Sequence, residues 1–190
     1  MLNIVEKTAE EVFIPLTIGG GIKSINNIQS LLRAGADKVS INSAAITDPN
    51  IIKESSTFFG SQCIVVAVDV KKIGNKWMVH SHGGTINTEI ETISWLKKVQ
   101  DLGAGEILLT SMDRDGTKKG FDLEILSEAN KILNIPVIAS GGVGNIEHFY
   151  EGVTKGGADA LLAASVFHFN EISIMDVKNF LKKNKIDVRI

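Results

Sequence analysis

Short runs of β-branched and apolar residues alternate with longer amphipathic stretches along most of the chain. The short runs predict six strands, near residues 13–18, 38–42, 62–69, 106–110, 136–140 and 159–163. Apolar positions at helical spacing predict helices near 2–12, 24–34, 50–58, 91–102, 123–133, 146–155 and 172–183. This alternation is typical of βα units in a parallel sheet.

A longer repeat relates the two ends of the chain. The elements Ile14-Pro15, Gly20-Gly21 and Gly35-Ala36-Asp37 recur as Ile135-Pro136, Gly141-Gly142 and Gly157-Ala158-Asp159. The repeat spans four βα units, which is half of an eight-unit barrel, so it predicts two similar half-barrels. Six units and a preceding helix are visible. We therefore expect an N-terminally truncated (β/α)8 TIM barrel, with residues 1–190 in a single domain and two units missing before Met1.

The composition adds limits on function. The 190 residues are 44% hydrophobic and 22% charged, with a net charge of −2, as in ordinary globular proteins. This balance gives no general attraction to nucleic acid or to an anionic membrane, and no apolar run approaches the roughly 20 residues of a membrane span. Cys63 is the only cysteine and is expected to be a small buried hydrophobe, which suits a reducing, cytoplasmic location.

Two glycine-rich loops follow equivalent strands. They are Gly19-Gly20-Gly21 and Ser140-Gly141-Gly142, and the next strands end at Asn42-Ser43 and Ala164-Ser165. Glycine lets backbone N–H groups approach an anion, and each serine supplies a hydroxyl. Glycines that only make tight turns are the alternative. The repetition favours two phosphate sites on opposite sides of the barrel mouth, and hence an elongated bisphosphate ligand.

Acidic residues follow the strands between these loops. Asp69 ends an apolar strand, where burial would make it a general acid or base; an ion pair with Lys71 or Lys72 is the alternative. By the repeat, its counterpart is a second carboxylate on the missing first strand. The loop after the next strand carries Asp113 beside Arg114, which predicts an ion pair, and Asp115-Gly116-Thr117, which could orient a ligand.

Other charged and histidine residues have weaker implications. Lys38 and Glu106 begin strands at the opposite end of the barrel, where they form either a structural ion pair or a charged gate. His80 and His82 lie in a predicted β-hairpin inserted after the Asp69 strand. A zinc site needs three or four ligands, and no matching cluster accompanies them, so no metal or cofactor is expected.

Several segments resemble a known family, the cyclase subunits of imidazole glycerol phosphate synthase. They are TIGGGI at 17–22, GADKVSINSAA at 35–45, VVAVD at 65–69, GAGEILLTSMDRDGT at 103–117, IASGG at 138–142 and LAASVFHF at 162–169. The resemblance implies a TIM-barrel lyase of histidine biosynthesis. Such an enzyme receives ammonia from a partner glutaminase subunit and converts the bisphosphate PRFAR to imidazole glycerol phosphate and AICAR.

The resemblance also implies roles for particular residues. Asp69 would be one of two catalytic aspartates, and Asp115 would lie beside the substrate. One phosphate would be bound by Gly21, Asn42 and Ser43, and the other by Gly116, Gly142, Ala164 and Ser165. Lys38 and Glu106 would belong to a charged ring at the ammonia entrance, near the face where the glutaminase docks.

Some positions depart from the family pattern. Glu89 replaces a usual glycine and Thr85 a common basic residue in the hairpin, and Met1 matches an internal position, so we expect a fragmentary gene model. The second catalytic aspartate and the mobile first loop would lie on the missing strand. The sister isomerase, which acts on ProFAR, is the nearest alternative, although residues 40–43 and 166–169 favour the cyclase. A second alternative is a barrel fragment that binds phosphate but has no catalytic activity.

Overall fold

The computed structural model describes residues 2–189, so Met1 and Ile190, the ends of the predicted domain, lie outside the described residues. The helices are α1 (Leu2–Glu11), α2 (Ile25–Arg33), α3 (Ser43–Thr47), α4 (Asn50–Phe59), α5 (Thr92–Asp101), α6 (Leu123–Ile132), α7 (Ile146–Thr154), α8 (Ser165–His168) and α9 (Ile174–Lys183). The strands are β1 (Thr17–Gly19), β2 (Lys38–Ile41), β3 (Ile64–Ile73), β4 (Lys76–Ser81), β5 (Ile86–Glu91), β6 (Glu106–Ser111), β7 (Val137–Ser140) and β8 (Ala160–Leu162).

Six parallel strands form the main sheet, in the order β1-β2-β3-β6-β7-β8. The sheet curls into part of a barrel and alternates with helices along the chain, so the fold is of the (β/α)8 TIM-barrel type and the six predicted units are confirmed. Strands β1 and β8 are the two ends of this sheet. None of the helices within residues 2–189 is long and apolar enough to cross a bilayer.

The core of the sheet is a row of aligned aliphatic residues. Ile41 is opposite Val66, Val66 is opposite Ile107, and Ile107 is opposite Val137. All four are at most 1% exposed. Strands that are covered on both faces require such nearly continuous apolar runs, which explains why these segments were visible in the sequence.

The repeated aspartates have the same structural role in both halves. The Oδ2 atom of Asp37 accepts a hydrogen bond from the backbone N–H of Leu16 at 2.7 Å, and that of Asp159 accepts one from Val137 at 2.9 Å. Each aspartate thus ties the start of one strand to the start of the preceding one. The sequence repeat therefore records a repeated strand-to-strand fastening as well as the glycine loops.

The structure differs from the sequence analysis in three details. The first strand covers only Thr17–Gly19, and Phe13 and Ile14 are 92% and 65% exposed, because β1 pairs with a neighbour on one side alone. Cys63 lies in a 3₁₀ turn before β3 and is half-buried, so its predicted full burial is wrong. The short helices α3 and α8, which begin directly after β2 and β8, were not predicted.

The predicted hairpin is confirmed, and it is part of a larger antiparallel extension. Strand β3 continues beyond the parallel sheet and pairs with β4, which in turn pairs with β5. The turn at the tip contains His82, Gly83 and Gly84, all with positive φ. In this register Asp69 is directly opposite His80. The hairpin therefore stands beside the carboxyl end of the parallel sheet, where functional groups of this fold class gather.

Candidate functional site

The first glycine loop borders an open cavity. Gly20 and Gly21 have φ angles of 92° and 71°, and a Cβ atom placed on either would meet nothing within 4 Å. Their glycine identity therefore follows from backbone conformation and not from crowding, and the main chain faces free space. The cavity has a volume of about 960 Å³, and its lining includes Gly21, Ser43, Asp69 and His82. The Oγ atom of Ser43 accepts the His82 N–H at 3.0 Å, which leaves the serine proton available to an anion.

Asp69 lies in this cavity at the point where β3 leaves the parallel sheet. Burial raises the pKa of its carboxyl group, and the charge of Asp115 adds to this effect. A hydrogen bond from Asn42 Nδ2 to Asp69 Oδ2, 3.0 Å long, and the nearby His80 lower the pKa, but the net direction is upward. A carboxyl group whose pKa is raised toward neutrality in a cleft is suited to proton transfer.

The alternative prediction for Asp69, an ion pair with Lys71 or Lys72, is wrong. Lys72 Nζ instead contacts Glu124 Oε2 at 2.6 Å and lies 4.4 Å from the centre of the Trp77 ring. Within residues 2–189, no lysine or arginine forms an ion pair with Asp69. The carboxylate is thus held by a neutral amide, which orients it without neutralising its charge.

Gly21, Asn42 and Ser43 form the first predicted phosphate site, here called the first cradle, and Asn42 connects it to Asp69. Its Nδ2 donates to the aspartate, whereas its Oδ1 is buried and has no hydrogen-bond partner among the described residues. Its backbone angles, φ −130° and ψ −88°, resemble those of Ala164, φ −113° and ψ −74°, at the equivalent position of the other half. The strand-to-helix turn is therefore the same in both halves, but only the first half carries a side chain that reaches the carboxylate.

We predict that Asp69 lowers the stability of the fold at neutral pH. Its pKa is above the ordinary value of 3.8, so the folded state binds this proton more tightly than the unfolded state does. The resulting cost is absent below about pH 3.8, develops between that pH and the folded pKa, and is complete above it. Asp69→Asn should therefore unfold at higher urea concentration than the unsubstituted protein at pH 7, and the difference should disappear near pH 4.

Asp37→Asn is a matched control for this measurement. Asp37 accepts a backbone hydrogen bond that fastens β1, so its loss should destabilise the protein at pH 7. A lower stability of Asp69→Asn at neutral pH would show that the carboxylate serves the fold.

The second glycine pair is packed tightly against a loop. A Cβ on Gly142 would lie 2.3 Å from the carbonyl oxygen of Gly120, and one on Gly141 would lie 2.8 Å from that of Ser111. Close packing against this loop therefore requires glycine at both positions. Gly116, by contrast, has φ 73° and open space around it. The remaining predicted ligands, Ala164 and Ser165, are exposed after β8.

The second predicted phosphate site, here called the second cradle, consists of Gly116, Gly142, Ala164 and Ser165. These residues share the carboxyl end of the sheet with Asp69 but lie outside the 960 Å³ cavity, as does Asp115. The loop between β6 and α6 supplies Asp115 and Gly116, and the turns after β7 and β8 supply Gly142, Ala164 and Ser165. The structure thus places the predicted catalytic and phosphate-binding residues at the carboxyl end of the sheet, in two groups.

The predicted ion pair between Asp113 and Arg114 is wrong. The Oδ2 atom of Asp113 accepts the backbone N–H of Lys72 at 2.7 Å. The extension of β3 beyond the parallel sheet brings that N–H within reach, a contact that local sequence could not indicate. Asp113 therefore fastens the loop after β6 to the hairpin.

Lys38 and Glu106 form an ion pair at the other end of the barrel. Their side chains are 27% and 20% exposed, and Lys38 Nζ contacts Glu106 Oε1. They stand at the first residues of β2 and β6, on either side of β3, and so lie far along the strands from Asp69. The structural ion pair is confirmed, and the gating role stays a prediction.

The sequence alone did not reveal two buried polar groups near the site. Asp122 is 8% exposed, and its Oδ2 accepts hydrogen bonds from Ser111 Oγ at 3.0 Å and from Trp77 Nε1 at 3.4 Å. His80 is 6% exposed and lies opposite Asp69. Strict alternation along the hairpin could have placed His80 on the face of Asp69. Across residues 2–189, no three His, Cys, Asp or Glu side chains form a group that could hold a metal ion.

Fold and site together define a class, the α/β-barrel proteins with glycine-lined loops and a partly buried carboxylate at the carboxyl ends of their strands. The family model described as "Histidine biosynthesis protein" matches residues 1–173, and the chain belongs to this family. It is 59% identical over 192 residues to the imidazole glycerol phosphate synthase subunit HisF of Clostridium botulinum strain Kyoto, and 58% identical to that of strain 657. Each alignment covers 100% of this chain and 76% of the relative.

Proposed function

We propose that this chain provides the cyclase activity of an imidazole glycerol phosphate synthase, a lyase of histidine biosynthesis. The reaction would convert PRFAR and ammonia to imidazole glycerol phosphate and AICAR. The observation that carries the proposal is that Asp69, with its raised pKa and its hydrogen bond from Asn42, lies in the same cavity as Gly20 and Gly21. The 58–59% identity to subunits that bear this name supports the same reaction.

The two cradles would hold the two ends of the substrate. Gly21, Asn42 and Ser43 would bind one phosphate through main-chain N–H groups and the serine hydroxyl. Gly116, Gly142, Ala164 and Ser165 would bind the other from the loops after β6, β7 and β8. Binding at both ends fixes the reacting part of the molecule between them, which converts binding energy into orientation.

Asp69 would transfer protons during ring closure. A raised pKa makes its carboxylate a stronger base, so it can accept a proton from the attacking nitrogen and return that proton to a leaving group. The Asn42 amide holds one carboxylate oxygen, which leaves the other oxygen free for this exchange. Asp115 would contact the substrate from the opposite loop. These steps need no metal or cofactor.

A glutaminase subunit would supply the ammonia as a partner in a heterodimer. The ion pair of Lys38 and Glu106 supports this part of the proposal, because its charges stand at the end of the barrel opposite the reaction centre. Ammonia that enters there would reach Asp69 along the barrel interior. A cytoplasmic location would follow from the biosynthetic role.

The test is an assay of substrate conversion. Protein with this chain, both by itself and with a βαβ segment of a relative joined ahead of it, is incubated with PRFAR and excess ammonium, and separately with ProFAR. In the extended protein we expect AICAR release from PRFAR only. Ser43→Ala should raise KM about tenfold, since hydrogen bonds to charged groups contribute about 1.5–3 kcal/mol. Ser30→Ala, on the exposed side of α2, is the matched control.

Turnover of ProFAR without turnover of PRFAR would identify the isomerase instead. If neither substrate reacts in the extended protein, the chain is a phosphate-binding barrel without this activity.

A further inference from the structure

His80 is a buried histidine beside the reaction centre to which the proposed mechanism gives no role. It is 6% exposed and lies on β4, and its Nδ1 is 3.1 Å from the carbonyl oxygen of Met78. A carbonyl oxygen can only accept, so Nδ1 carries the proton in this contact. The ring is thereby held in one orientation, and Nε2 remains for a second interaction.

The register of the sheet places this ring next to Asp69. The two residues are direct partners in the antiparallel pairing of β3 and β4. Side chains of directly opposite residues project from the same face, with Cβ atoms roughly 4.5–5.5 Å apart. Strand β6 occupies the other edge of β3 at Asp69, so Asn42, which follows β2, and His80 on β4 both approach Asp69 from the same edge of β3.

We propose that His80 is a positioning residue of the reaction centre, which favours the charged form of Asp69 and holds its carboxylate toward the cavity. The inference rests on the proposed function only in taking Asp69 as the group that transfers protons. His80 lowers the pKa of the Asp69 carboxyl group, which favours its charged form, whereas burial raises that pKa.

Other charged groups near His80 also influence the pKa of Asp69. The titratable and charged groups near it are Asp69 and Lys71 on β3, Asp115 from the loop after β6, and Glu91, which is opposite Met78 on β5. Glu91 is engaged by the N–H groups of Ile93 and Ser94 at the start of α5. Opposite His80 itself β5 carries Asn87, which is uncharged. The charge of Asp115 raises the pKa of Asp69, and the imidazole of His80 acts in the opposite direction.

The experiment compares His80→Phe and His80→Gln with the unsubstituted protein. Phenylalanine fills the buried space, whereas glutamine can still donate a hydrogen bond to Met78 but carries no charge. The carboxyl carbon of Asp69 is followed by NMR during a pH titration, which needs no substrate. We expect the pKa of Asp69 to rise in both variants. His168→Asn is the control, because His168 is exposed on α8 and lies outside the cavity that contains Asp69.

Turnover gives the second measurement. In both variants the acid limb of the kcat profile should move to higher pH, and at a pH on that limb kcat should fall about threefold to tenfold while KM stays within about twofold. An unchanged Asp69 titration in both His80 variants would overturn the inference. A shifted titration in a protein that never converts PRFAR would keep the inference about His80 and reject the proposed function.

Discussion

Asp69→Asn is expected to lower kcat for the conversion of PRFAR by about 100-fold to 10,000-fold, the range that positioned acids and bases commonly contribute. Asparagine has nearly the same shape and can still contact Asn42, but it cannot exchange a proton at this site. The first cradle stays intact, so KM should change little. The measurement is steady-state AICAR release at saturating ammonium, so that no step in a partner subunit limits the rate.

Asp113→Asn is the matched control for this substitution. Asp113 is also an aspartate near the carboxyl end of the sheet, but its carboxylate is bound to the Lys72 N–H and lies outside the cavity. We expect its kcat to stay within about threefold of the unsubstituted enzyme. Near-normal turnover of Asp69→Asn would assign Asp69 a structural role, particularly if that variant also lost stability at neutral pH.

The 190-residue polypeptide, expressed by itself, is expected to associate with other copies in solution. Strands β1 and β8 end the parallel sheet, and strand edges with free N–H and C=O groups pair readily with other chains. Apolar side chains lie beside both edges: Phe13, Ile14 and Leu162 are 92%, 65% and 40% exposed. Light scattering after size-exclusion chromatography should show oligomers or aggregates whose population grows with concentration.

Two substitutions distinguish association through the strand edges from association through exposed apolar side chains elsewhere. Phe13→Lys places a charge beside the β1 edge and should reduce association, because charged residues at an edge oppose pairing. Phe58→Lys changes a phenylalanine on α4 that is 69% exposed but belongs to an outer helix, and it should have little effect. A βαβ segment joined ahead of Leu2 should also yield a monodisperse protein. A monomer at all concentrations in the unsubstituted chain would contradict the prediction.

The sequence determined the units of the fold because their signals are local. The alternation of β-branched runs with amphipathic stretches requires only the neighbours of each residue to be read, and it yielded all six parallel strands. The Gly-Ala-Asp repeat was equally visible, since Asp37 and Asp159 each fasten a strand to the one before it. The pattern also predicted that Asp69 ends its strand, which is wrong: β3 continues to Ile73, and Asp69 lies where β3 begins to pair with the hairpin.

Only the tertiary structure decided what surrounds the site residues. Asp69 received Asn42 and His80 as neighbours and not Lys71 or Lys72, because the registers of β3 with β2 and β4 determine which side chains meet. The same extension of β3 took Asp113 away from Arg114. Contacts of this kind join residues up to 41 positions apart. Which residues meet depends on the alignment of the strands in space, so it cannot be predicted from the residues adjacent in sequence.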